Sequence, residues 1–298
     1  MTVAALEIGG THVSAALPGP PDWTLTDAQV HRAHVRADGT ATEIVEDVLG
    51  AAKTLDVPPG TRWGVAIPGP FDYATGIGRF TGVAKFEGLH GVDLGALLRR
   101  GLPTASDVVF VNDAHAFALG QWRTGGTTGH DRVMVLTLGT GIGSCFLDRG
   151  VAITTGPDVP PHGEAHLLTI DGGPLEDTVS RRAILARHRA VHPEAVHPED
   201  AGLDVRELAE RALAGDPWTR GLFTSTFRAL GRAMAPWACS FGASLVLVGG
   251  SIAASWELVA DPLRAGLADG GAVPEVARAS SAHAGLVGAA WWAQVSEI

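Results

Sequence analysis

Two cysteines, Cys145 and Cys239, are all that 298 residues contain. They lie far apart and form no C-x-x-C pair, so neither a disulfide framework nor a thiolate zinc site organises this chain. Basic charge is also scarce: 22 Lys and Arg stand against 32 Asp and Glu, a formal net charge of −10. A surface this acidic repels a phosphate backbone, which sets nucleic acid aside as a partner. Long apolar runs are missing too. No stretch reaches the ~18 residues of a membrane span, and the N-terminus MTVAALEIGG has no basic head. No membrane association is expected, and the expected compartment is the cytoplasm. What is present, 46% hydrophobic and 18% charged residues, describes a globular protein. The length suffices for one large domain or two ordinary ones, each with its own core.

VAALEIGG reads as a buried strand ending in a Gly pair, and HVSAALPG as its antiparallel partner. WTLTDAQVHRA predicts a third strand. A helix follows around residues 40–55, with Ile44, Val45, Val48, Leu49 and Ala52 on one stripe. RWGVAIPGPFD is a strand that stops at Pro68–Gly69. VVFVNDAHAFALGQW is a buried strand running into a helix at Asn112–Asp113, a good N-cap pair. RVMVLTLGTGIGSCFLDRG then repeats the strand, Gly turn, strand pattern of the N-terminus. That echo predicts two similarly built α/β domains. Residues 180–245 read as mostly helical, with breaks at 188–200 and at Asp216–Pro217. SLVLVGGSIA is another buried strand, and AHAGLVGAAWWAQV a terminal Ala-rich helix, whose Trp291 and Trp292 serve a core or an interface.

Three apolar strands end in Gly-rich turns: EIGGTH, TLGTGIG and LVGGSI. Glycine lets backbone approach a ligand closely, and consecutive N–H groups form an anion cradle. One such turn is ordinary hairpin chemistry; three in one chain favour a phosphate site. None is a G-x-x-x-x-G-K-[ST] loop, and GTGIG lacks the spacing and following helix of a dinucleotide fingerprint.

These motifs carry a resemblance. EIGGTH and TLGTGIG are similar to the two phosphate motifs of the sugar kinase, actin and heat-shock chaperone superfamily, and VLVGGSI to its adenosine motif. GVAIPGPFD and VNDAHAFALGQW narrow the resemblance to the ROK family of bacterial sugar kinases and sugar-responsive repressors, over the whole chain and in order. It implies an α/β protein of two actin-like ATPase (ribonuclease H-like) domains flanking a cleft. Residues 1–112 would form the first, with the C-terminal helix 285–298 packing back on it, and 113–284 the second. It also implies phosphoryl transfer from Mg·ATP to a sugar hydroxyl, and a homodimer. That chemistry needs a base near the hydroxyl, a metal for the phosphates and donors for the migrating group. By resemblance Asp113 is the base, and Asn112 holds a sugar hydroxyl. Gly69 lies in the sugar-side turn. Gly9, Gly10, Thr11, Thr137, Gly139, Thr140 and Gly141 face the phosphates, and Gly249 and Gly250 border the adenine. Glu7 stands where the family usually has Asp, an indirect contact for Mg²⁺. His12 stands where Lys or Asn is common and is assigned no role. Lys85 lies near where glucose-type kinases carry a sugar-binding Asn, which argues against glucose itself.

The largest departure is PHGEAHLLTIDGGPLED, residues 161–177. Most ROK kinases read G-E-x-G-H followed by C-x-C-G-x-x-G-C-x-E, whose His and three Cys hold a structural zinc. Here the loop has no cysteine, and the remaining His and carboxylates are too hard and too loosely spaced to argue for zinc. By resemblance Glu164, His166 and Glu176 bind the acceptor, and Leu167, Leu168, Ile170 and the TIDGG turn must hold the loop. His188, His192 and His197, with Glu194 and Glu199, read as a solvated linker. Expected acceptors are a hexose such as glucose or fructose, an amino sugar or a cyclitol. Polyphosphate glucokinases also lack the cysteines, so inorganic polyphosphate is a rival donor. A sugar-sensing repressor is disfavoured because only six residues precede Glu7. A non-catalytic sugar-binding protein is disfavoured by the presence of Asp113 and both phosphate turns.

Overall fold

The computed structural model describes residues 2–83, 85–102, 105–191, 203–281 and 283–296. It divides into two compact units, Met1–Thr128 with Ser280–Ile298, and Gly129–Ala279.

In the first unit β1 (Val3–Ile8) and β2 (His12–Ala16) form the antiparallel hairpin around Gly9–Thr11. The expected third strand starts only at His31, as β3 (His31–His34). Upstream, Thr26 and Gln29 close a capping box around a single turn of 3₁₀ helix, so the backbone there is satisfied locally and does not pair. Helix α1 (Ala41–Ala52) is capped by Thr40 and Glu43 and buries Ile44, Val45 and Val48. Strand β4 (Thr61–Ile67) is buried along its whole length, as a parallel strand covered on both faces must be. The short hairpin β5 (Phe71–Asp72) and β6 (Ile77–Gly78), helix α2 (Leu94–Gly101), strand β7 (Ala105–Asn112) and helix α3 (Asp113–Arg123) complete the N-terminal segment. The sheet order is β3-β2-β1-β4-β7.

The C-terminal helix, Ala284–Val295, lies against α3, β1 and β4. Close approach explains three glycines. A β-carbon on Gly64, Gly120 or Gly288 would strike the backbone of Ala289, Ala284 or Ala116 respectively. This packing ties α3 to the first unit, which runs to Thr128, whereas residue 113 was expected to open the second domain. Trp291 meets Trp23 edge-on at 5.5 Å, and the Arg123 guanidinium lies 4.6 Å from the Trp291 ring centre.

The second unit repeats the plan. Strands β8 (Arg132–Leu138) and β9 (Ile142–Asp148) form an antiparallel hairpin around Gly139–Gly141, followed by β10 (Val151–Ala152). A small hairpin, β11 (Thr169–Ile170) and β12 (Gly173–Pro174), leads into helices α4 (Glu176–Val179), α5 (Arg181–Val191), α6 (Val205–Leu213) and α7 (Pro217–Phe241). Strand β13 (Leu245–Gly249), helix α8 (Trp256–Asp269) and strand β14 (Glu275–Arg278) follow, and the terminal helix is α9. The sheet order is β10-β9-β8-β13-β14. Pairings match one for one: β1–β2 and β8–β9 are antiparallel, while β1–β4–β7 and β8–β13–β14 are parallel. The echo seen in the sequence is therefore a repeat of sheet connectivity. Each unit has its own apolar core.

His188 differs from the expected solvated linker. It sits inside α5, 4% exposed, with its ring edge-on to Trp218 at 5.4 Å. The helix continues because Ala183, Ile184, Leu185 and His188 share one buried face. His192, Glu194, His197 and Glu199 lie outside the described residues. No helix among the described residues is long and apolar enough to cross a membrane.

Candidate active site

The first unit gathers Glu7, the Gly9–Thr11 turn, Gly69, Asn112 and Asp113. Gly9 N–H closes the turn on the His12 carbonyl at 2.8 Å, and Thr11 Oγ1 bonds His12 Nδ1 at 2.9 Å. Asn112 caps α3: its Oδ1 accepts from the N–H groups of Ala114 at 2.9 Å and His115 at 3.2 Å. That bond pattern explains why β7 turns into helix at this residue. Asn112 Nδ2 donates to the Tyr73 hydroxyl at 3.0 Å, and Tyr73 in turn donates to the Ile67 carbonyl at 3.3 Å. Tyr73 lies beside the turn at Gly69, where a β-carbon would sit 3.5 Å from its hydroxyl. It is the one tyrosine of the chain and belongs to none of the motifs, so sequence patterns passed over it.

Asp113 opens α3 and accepts its Oδ1 bond from Ala114 N–H at 2.8 Å. Burial pushes its carboxyl above the ordinary aspartate value, against the pull of that bond. Glu7 is pushed up to about 7, first by burial and then by the charge of Asp113, with His283 and Arg32 pulling the other way. Its carboxyl packs on α9 at Gly285, where a β-carbon would overlap it. On the same turn of α3 as Asp113, His115 is held down to about 4 by burial, which makes it a neutral imidazole at physiological pH. The neighbouring strands carry His12, Arg32 and His34, with the two histidine rings 6.3 Å apart. Burial, Arg32 and His34 hold His12 below its ordinary value.

The second unit brings together the turns at Gly139–Gly141 and Gly249–Gly250. Thr137 pairs with Gly249 across β8 and β13, and a β-carbon on Gly250, whose φ is +89°, would collide with the Leu138 backbone. Gly139 N–H bonds the Gly141 carbonyl at 3.0 Å, and Arg181 N–H, at the start of α5, donates to the Gly139 carbonyl at 3.0 Å. Thr140 is exposed at the tip. Glu176 comes to this turn: its Oε1 accepts from Ile142 N–H at 3.3 Å and fills the space beside Gly141. The residue assigned to the acceptor thus touches the turn assigned to the donor phosphates.

Glu164 and His166 pair with one another, Oε2 to Nε2 at 3.7 Å, and both remain partly open to solvent. Their loop is held by Ser144. The buried Ser144 hydroxyl donates to the Gly163 carbonyl at 2.7 Å and accepts from Ala165 N–H at 2.7 Å, so one oxygen ties both sides of the turn to β9. Leu168 and Ile170 pack on the core as expected, and Leu175 N–H donates to the Leu168 carbonyl, whereas Leu167 is 47% exposed. Ser144 sits in GIGSC without a motif of its own, and only the folded chain exposes its role. Among the described residues no group of three His, Cys, Asp or Glu is placed to hold a metal ion by itself.

Known proteins share this fold. A model of the ROK family matches residues 3–296. The glucokinase of Thermotoga maritima is 29% identical over 292 residues, covering 90% of this chain and 88% of that protein. The N-acetylmannosamine kinase of Escherichia coli is 28% identical over 271 residues, covering 85% and 84%. The ROK family glucokinase of Streptomyces griseus, solved in complex with glucose and AMPPNP, superposes with a TM-score of 0.76 at 25% identity, over 99% of this chain and 100% of that one. The fold is the mixed α/β, actin-like ATPase fold of the ROK sugar kinases.

Proposed function

The chain belongs to the ROK family and is a sugar kinase; we propose that it transfers the γ-phosphoryl group of ATP to a hydroxyl of a hexose or hexose-like acceptor, with Asp113 as general base. The observation that carries the base is the position of Asp113, first residue of α3, its carboxyl raised by burial while Oδ1 is engaged by Ala114 N–H. A raised carboxylate holds a proton more strongly and leaves Oδ2 for the acceptor hydroxyl. Asn112 has one amide proton left after its bond to Tyr73, and that proton suits an acceptor oxygen. Glu164, His166 and Glu176 supply further partners for hydroxyl groups. The Gly9–Thr11 and Gly139–Gly141 turns offer backbone donors to phosphate oxygens, and Gly249–Gly250 would border the adenine.

A magnesium ion fits the first unit. Glu7 and Asp113 are two half-buried carboxyls of like charge, and a divalent cation would relieve both the desolvation and the repulsion that hold Glu7 near 7. Glu7 would hold it indirectly, through water. When bound, the ion supplies charge that shields the donor phosphate oxygens. ATP as donor calls for a cytoplasmic setting, and the family resemblance for a homodimer.

The test of the base is Asp113→Asn. It keeps shape and removes the proton acceptor, so turnover falls by about a thousandfold or more while acceptor binding, read by calorimetry, stays within a few-fold. Turnover kept within tenfold of the wild type would remove Asp113 from the role.

A further inference from the structure

The first phosphate turn has a cation that no motif announces. Lys85 and Lys53 are the only lysines of the chain. The Lys85 side chain crosses the open face of Gly10: a β-carbon there would overlap its Nζ and lie 2.8 Å from its Cδ. The base of this side chain is fixed. Phe86, next in sequence, is 1% exposed and packs against Phe80 at 5.5 Å. Its N–H donates to the Ala37 carbonyl. Two residues on, a β-carbon on Gly88 would strike the Gly39 carbonyl, so this segment lies tight against residues 37–40. The far end of the lysine, by contrast, has no hydrogen-bond or ion-pair partner among the described residues.

Lys85 is a half-buried residue whose ammonium lies on a backbone cradle with no carboxylate paired to it among the described residues. Around that cradle stand the acids Glu7, two residues before Gly9, and Asp113, and one cation, Arg32, which β3 brings beside β2. Lys85 is the cation whose side chain lies on the turn itself, at Gly10. We propose that Lys85 is the fixed positive charge of the first phosphate turn, binding phosphate oxygens of the donor laid across Gly9, Gly10 and Thr11. This deepens, and rests on, the kinase reading above. It moves Lys85 from the acceptor side, where its sequence position suggested it, to the donor side. A compact ammonium suits that task because it can follow the oxygens on a flexible stem while its root is held by Phe86. An aliphatic side chain in its place would leave the Gly10 face uncharged.

The test uses the full chain as wild type, Lys85→Met and Lys85→Arg. Binding of tripolyphosphate, of Mg·AMPPNP and of the sugar that the wild type turns over in the acceptor panel is measured by calorimetry, with thermal unfolding as the check on folding. Lys85→Met is expected to weaken both anions about tenfold, the scale of one charge-assisted contact. Lys85→Arg recovers most of that loss, and the affinity for the sugar that the wild type turns over does not move. Lys85→Met with unchanged anion binding overturns the assignment, as does a loss confined to the acceptor sugar. If the wild type turns over no sugar yet binds anions through Lys85, the kinase reading fails and the anion site stands. If the wild type binds neither anion, both fail.

Discussion

The two Gly hairpins share strand pairing and differ in polarity. In the first unit an acid, Glu7, precedes the turn and a cation, Lys85, lies on it. In the second a neutral residue, Thr137, holds the corresponding place in β8, and an acid, Glu176, lies on the turn. One backbone plan has thus been given opposite charge at its open face. Under the kinase proposal, an anion laid on the first turn would meet the Lys85 ammonium. At the second turn it would meet the Glu176 carboxylate, which already accepts from Ile142 N–H. Backbone geometry, repeated through glycine, sets where a ligand can lie; side chains arriving from distant segments set what charge it meets there.

The strongest way to sharpen this contrast is to neutralise Glu7. Its folded value of about 7 lies above the ordinary carboxyl value of 4.5, so its favourable share of stability is complete below pH 4.5 and is lost as pH rises through 7. Glu7→Gln removes that loss. The variant is expected to match the wild type near pH 4.5 and to exceed it at pH 8 by on the order of 2 kcal/mol, after discounting for partial exposure. Chemical denaturation at the two pH values reads this directly, and equal stabilities at pH 8 would contradict the half-buried, unrelieved carboxyl.

Glu176→Gln is the smaller effect and breaks the contrast from the other side. The amide oxygen can still accept from Ile142 N–H, so stability changes by less than about 1 kcal/mol. The negative charge at the turn is gone, so tripolyphosphate binds about twofold to fivefold more tightly, opposite in sign to Lys85→Met. A weaker anion affinity in Glu176→Gln would mean that the two turns do not differ as described.

How much of this was legible beforehand follows from the range of each interaction. The hairpins, the β7–α3 junction and the repeat were readable because glycine pairs, apolar runs and an Asn–Asp cap are local features. The stretch from Trp23 reads as strand in the sequence, whereas the Thr26–Gln29 box satisfies its backbone locally and keeps it out of the sheet until His31. His188 stands close to prolines and reads as linker, whereas its ring partner, Trp218, lies thirty residues on. Ser144, Tyr73 and Lys85 act on segments that the chain brings to them only by folding, and no spacing rule reports such contacts. The cysteine-free loop is the clearest instance: its absence of thiolates was plain, whereas the serine hydroxyl that ties Gly163 and Ala165 to β9 was not.

The central claim is that this chain phosphorylates a sugar. ADP release from Mg·ATP by the purified wild type, followed across a panel of hexoses, amino sugars and cyclitols, tests it most directly. The account predicts acceptor-dependent turnover with at least one member, giving a phosphorylated product of the acceptor's mass plus one phosphoryl group. ADP release that no acceptor raises above background would contradict it.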